Sequence, residues 1–126
     1  MASVEPNENL SRYLFSRKNY NPTKQIVHYT AFMPPPDKRL SVFRTSDISE
    51  DEIWNIGDDV GRKRAKELLG RADIGSLSVY EAGLSIDPND IPLRHANIIG
   101  WPDDNSAIKL AAVELAQKAK LILKIG

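Results

Sequence analysis

Pro92-Leu93-Arg94-His95-Ala96-Asn97-Ile98-Ile99-Gly100-Trp101-Pro102 is the stretch from which the rest of the chain can be read. With the two-residue repeat of an extended strand, Leu93, His95, Asn97, Ile99 and Trp101 share one face, while Arg94, Ala96, Ile98 and Gly100 share the other. Proline has no amide to give a sheet ladder, so Pro92 and Pro102 limit the strand to about eight or nine residues. Imidazole, carboxamide and indole are thus expected on one side of it.

Working outward toward the C-terminus, Asp103, Asp104, Asn105 and Ser106 offer N-caps for a long final helix. Its apolar stripe is Ile108, Ala111, Ala112, Leu115, Ala119 and Ile122, and Leu121 to Ile125 can close as a short strand instead. On the other side, Asp87-Pro88-Asn89-Asp90 reads as a turn. Ser76 to Ala82, bracketed by Gly75 and Gly83, alternates like a strand. Gly70 suits the left-handed cap of a basic helix carrying Ala65 to Leu69.

The clearest local signal lies earlier. Ser49 caps a helix, Glu52 completes a capping box, and Glu50 and Asp51 stand where the helix dipole favours negative charge. Gly57 and Gly61 each cost about 1 kcal/mol relative to alanine, so a break is expected near Gly57. Arg39 to Thr45 alternates Leu40, Val42 and Arg44 against Ser41, Phe43 and Thr45, which predicts a strand. Gln25 to Met33 predicts another, with apolar residues on both faces, ended by Pro34-Pro35-Pro36. A weaker strand pattern runs from Leu10 to Tyr20. Residues 1–9 are polar and aperiodic and are expected to form a flexible arm ahead of one domain, 10–126.

The predicted order is strand, strand, strand, helix, strand, strand, helix. That pattern points to an α+β domain, with a mainly antiparallel sheet of about five strands covered on one face by two main helices. At 126 residues, 41% hydrophobic and 27% charged, the chain fits one globular domain. No apolar run reaches membrane-spanning length and the sequence shows no positively charged leader followed by an apolar stretch, so a cytoplasmic protein without a membrane partner is expected. Cysteine is absent and only His28 and His95 are available as imidazoles, which points to no metal and no cofactor. Lys plus Arg and Asp plus Glu balance at 17 each, so the field that non-specific nucleic-acid binding requires is missing.

Glycine-rich phosphate loops, nucleophile elbows and zinc-protease signatures are absent. Two pairs of polar strand residues remain, His28 with Thr30 and His95 with Asn97. If their strands were neighbours, the imidazoles could act as general base and general acid on a phosphate held by Thr30 and Asn97. Arg44 and Arg94 beside these strands could add bidentate anion contacts. The plainer alternative has both histidines as half-buried residues bonded to backbone.

Ile26-Val27-His28-Tyr29-Thr30-Ala31-Phe32 resembles the first His-x-Thr motif of the two-histidine phosphoesterases, although Asn97 stands where their second motif has a hydroxyl. That resemblance implies a phosphate-ester chemistry centred on His28 and His95. Leu40 to Thr45, Trp54, and Arg94 to Pro102 are similar to small uncharacterised bacterial proteins, which implies no activity. Lacking strong catalytic signatures, the chain is expected to act by binding, to a protein partner or to its own copy as a homo-oligomer. Trp54, Trp101 and the three prolines would be its contacts. A small phosphate-ester enzyme or nucleotide-binding protein is the alternative.

Overall fold

The computed structural model describes residues 3–125. Along the chain run strands β1 (Asn9–Leu14), β2 (Tyr20–Asn21), β3 (Ile26–Val27) and β4 (Leu40–Arg44), helix α1 (Glu50–Arg64), strand β5 (Gly70–Gly75), helix α2 (Ser76–Glu81), strands β6 (Ser85–Asp87) and β7 (His95–Ile99), helix α3 (Asn105–Lys118) and strand β8 (Lys120–Leu123). Six strands form one antiparallel sheet in the order β6-β7-β4-β1-β5-β8, and β2 with β3 forms a separate two-stranded ribbon. The α+β class is as the sequence predicts, with one more strand in the main sheet and a third, short helix.

The sheet is covered on both faces rather than one. Strand alternation sends Leu10, Leu14, Leu40, Val42, Ala72, Ile74, Ala96 and Ile98 to the face packed on Ile108, Ala112 and Leu115 of α3 and on Phe32. The opposite face presents Tyr13 and Phe43 to Ile53 of α1 and to Leu68. Two apolar clusters of unequal size therefore share one sheet.

α1 starts where its cap predicts: the Ser49 hydroxyl accepts the Glu52 amide at 3.1 Å. It does not break at Gly57. The two glycines instead let it lie close to the sheet, since a Cβ on Gly57 would come within 2.7 Å of the Tyr13 ring and one on Gly61 within 2.9 Å of the Lys66 carbonyl. The left-handed cap is Ala65, and Gly70 opens β5.

Several other expectations are corrected. Ser76 to Ala82 carries α2, because its two buried residues, Ser76 and Val79, lie one helical turn apart. The strand of this region lies one segment earlier, in β5, whose Arg71 and Asp73 face α1 as an ion pair and mask the apolar alternation. Gln25 to Met33 forms only the short β3 and a 3-10 turn over Tyr29–Phe32, which sinks Ala31 and Phe32 against α3 instead of extending a ladder. The expected flexible arm is docked along its described part. Val4 is buried, the Tyr80 hydroxyl donates to its carbonyl, and Glu8 pairs with Arg44; Met1 and Ala2 lie outside the described residues. None of the described helices is long and apolar enough to cross a membrane.

Candidate functional site

The α1 face of the sheet is only partly covered, and what remains open is a cleft of about 540 Å³. Its floor is Ser41 and Phe43 of β4 with His95 of β7, its wall is Ile56, Val60, Lys63 and Arg64 of α1, and its lip is Pro92, Leu93 and Arg94. Glu52, Asn55 and Asp59 complete the lining. The mixture of apolar surface and a few convergent polar groups is that of a small-molecule site.

His95 holds the centre. In register it faces Phe43, on whose ring it packs edge to face at 5.2 Å, and its diagonal neighbour is Ser41. Its Nε2 is 2.7 Å from Ser41 Oγ and its Nδ1 is 2.7 Å from Asn89 Oδ1. Asn89 Oδ1 also accepts the Ile91 amide at 3.3 Å, which identifies it as the carbonyl end of the side chain. Nδ1 therefore carries the proton, and the bare Nε2 accepts from the Ser41 hydroxyl. Burial pushes the His95 pKa below its ordinary value, helped by the charges of Arg64 and Arg39 and opposed by Asp87.

Arg94 reaches the cleft by a backbone device. Its φ of +73° is left-handed, and its amide is held by Asp90 Oδ1 at 2.7 Å. The departure from extended geometry cancels the alternation, so Leu93, Arg94 and His95 all line one cavity although the simple strand pattern separates Arg94 from the other two.

Arg12 approaches from behind. β1 and β4 are paired only at Leu10 with Arg44 and Ser11 with Phe43, and beyond that point the Arg12 guanidinium donates across the gap to the carbonyls of Ser41 and Ala31, each at 2.9 Å. It borders a small void shared with Ser41, Phe43, Val60 and Arg64. Desolvation, with Arg64 nearby, pushes the Arg12 pKa down to about 10.

The other sequence candidates separate. His28 precedes the 3-10 turn that packs under α3, on the far side of the sheet from His95, so the two imidazoles share no pocket and the two-histidine centre is not formed. The Thr30 hydroxyl is spent on the Lys18 carbonyl at 2.9 Å. Arg44 is held by Glu8 at 2.8 and 2.9 Å, an interaction that keeps the Glu8 carboxyl below its ordinary pKa. Asn97 is buried beside the cleft floor on the same side of β7 as His95. Trp101 is not: Gly100, at φ +83°, ends the alternation, and the indole turns into the α3-side core, where its Nε1 donates to the Ile98 carbonyl.

Ser41, Asn89, Lys63 and Arg64 complete the site; Lys63 and Arg64 stand out in the sequence only as part of a run of basic residues on a helix surface, and nothing in the sequence signalled Ser41 or Asn89 as functional. Ser41 alone could have been noticed, as a polar residue sharing a strand face with Phe43. Comparison with protein-family models, with curated proteins and with solved structures returns no match, so the chemistry of the cleft rests on its own geometry.

Proposed function

We propose that this chain binds a small molecule that joins a phosphate to an apolar or aromatic moiety, with a nucleotide as the simplest example. The observation that carries the reading is a local excess of positive charge in a chain of zero net charge. Lys63, Arg64 and Arg94 line the cleft, and among the described residues none of the three lies within ion-pair distance of a carboxylate. The two acids of the lining are already engaged, Asp59 by Arg62 and Glu52 by the Ser49 hydroxyl. Uncompensated guanidinium groups beside a half-buried imidazole favour an anion, and Phe43, Ile56 and Val60 offer apolar surface to its remainder.

Titration calorimetry against nucleoside phosphates and sugar phosphates tests this. At least one compound should bind, and Arg64→Ala should weaken it about tenfold, the loss of one charge-assisted hydrogen bond. Absence of heat from every compound at millimolar concentration would remove the reading.

A second reading, binding to a protein partner or to another copy of the chain, is favoured by the lip. Ile91 and Leu93 are 79% and 72% exposed on either side of Pro92. Light scattering should then show a dimer that Leu93→Glu dissociates, and a strict monomer would exclude self-association.

A further inference from the structure

We propose that Ser41, His95 and Asn89 are a hydrolytic relay that cleaves a carboxylic ester bearing an anionic group. For the substrate's charge alone it rests on the reading of the cleft given above. A nucleophile needs a base within hydrogen-bond reach, the base needs a third group to fix its tautomer, and the nucleophile needs access to a cavity. All three conditions are met. Ser41 Oγ lies 2.7 Å from His95 Nε2, Asn89 Oδ1 lies 2.7 Å from Nδ1, and Ser41 and His95 both line the cleft. This is the order of contacts in serine hydrolases, with a carboxamide in the place of the usual carboxylate.

The charges facing His95 come from every side of it: Arg64 on α1, Arg39 ahead of β4, Asp87 on β6, and its chain neighbour Arg94. Burial first, and then this mainly positive surround, disfavour the imidazolium, so the ring is neutral near pH 7 and free to take a proton. Asn89 supplies orientation without adding negative charge.

The reaction needs no further reagent than water. As Ser41 Oγ bonds to the ester carbonyl carbon, its proton passes to His95 Nε2, and the oxyanion forms in a cleft lined by Arg64 and Arg94. The carbon–oxygen bond to the alcohol then breaks, the alcohol leaves with the proton from His95, and the acyl group remains on Ser41. Water adds to that acyl ester while giving a proton to His95, the bond to Ser41 Oγ breaks, and Ser41 recovers the proton as the carboxylic acid departs. Ser41 and His95 are the catalytic residues, and Asn89 is a positioning residue.

Labelling the full chain with a fluorophosphonate tests the relay, since attack by an activated serine displaces fluoride and leaves an adduct visible in the intact mass. Peptide mapping of the unmodified sequence should place a single adduct on Ser41, a result that depends on no variant. His95→Gln should slow labelling about 100-fold, the ordinary contribution of a general base. Asn89→Asp should keep the label but move the pH midpoint of its formation upward, because a carboxylate beside Nδ1 favours the imidazolium; a merely structural asparagine would leave that midpoint in place. An adduct elsewhere, no adduct, or an unchanged rate in His95→Gln overturns the proposal. Hydrolysis of p-nitrophenyl succinate should exceed that of p-nitrophenyl acetate about tenfold in kcat/KM, an advantage that Arg64→Ala abolishes. If Ser41 is labelled but the neutral ester is preferred, the assigned substrate class is overturned. If folded Ser41→Ala still binds a phosphate compound by calorimetry while the original sequence takes no label, the relay falls and the anion-binding reading stands.

Discussion

His95 holds a polar pair inside an apolar surround, and that arrangement has a consequence for stability. Its folded pKa is depressed, with desolvation first among the causes and Arg64 and Arg39 next. The unfolded chain, with an ordinary imidazole, therefore takes up a proton before the folded one as pH falls through about 6.5. The folded state is not penalised above that pH and loses stability below it. Urea unfolding at pH 7.5 and pH 5.5 should show a smaller loss for His95→Gln than for the original sequence; equal losses would mean that the ring is not desolvated. At this scale the sequence identified His95 and Arg94 but not their partners. Ser41 and Asn89 lie 54 and 6 residues from His95, one on the neighbouring strand and one in the loop before β7, and contacts of either kind leave no mark in a strand's own pattern. Arg71 is the converse case. It is 1% exposed, stacks 4.6 Å from the Trp54 ring and pairs with Asp73 and Glu50, so a residue that reads as surface charge is part of the packing beneath α1.

For the elements, α1 is the informative one, because its glycines argue for a break by propensity and for continuity by packing. Gly57→Ala gains up to about 1 kcal/mol of helix propensity, but the new methyl meets the buried Tyr13 ring, whose hydroxyl donates to the Ile53 carbonyl at 2.5 Å. The ring cannot retreat without losing that bond. Overpacking costs of about 1 to 3 kcal/mol therefore prevail, and denaturant midpoints should fall for Gly57→Ala; a rise would show that α1 stands farther from the sheet. The elements that the sequence read correctly, β4, β7, α1 and α3, are those whose side-chain period matches their buried face. β5 and α2 were misread because Gly70 to Gly75 carries two charges toward α1 and because a six-residue helix is too short to establish a period. The N-terminal segment looked unable to fold by itself, and it does not: Ser76, Tyr80 and Arg44 hold it from outside.

Across the whole molecule, one sheet separates two apolar clusters, and each carries a tryptophan. Trp101 is buried in the larger cluster, and Trp54 packs against the smaller. Because Leu10 and Leu14 alternate with Tyr13 along the same strand, neither cluster can open while the other keeps β1 in place. Fluorescence of Trp54→Phe and of Trp101→Phe should therefore give urea midpoints that coincide once each variant's own change in stability, measured by circular dichroism, is allowed for. Two separate transitions would mean that the α1 side unfolds independently.

The sequence by itself determined the α+β class, the N-terminus of α1, the positions of β4 and β7, and the presence of His95 and Arg94 in one short stretch. These follow from periodicity, capping and proline chemistry, which act over a few residues and are written locally. Only the tertiary structure decided that helices cover both faces, that Trp101 turns away from His95 at Gly100, that His28 belongs to the far side, and that three cations without carboxylate partners among the described residues meet at one cleft. Each of these depends on strand order and on single left-handed residues. A one-residue change of alternation moves a side chain through the thickness of the sheet, and no local pattern records it.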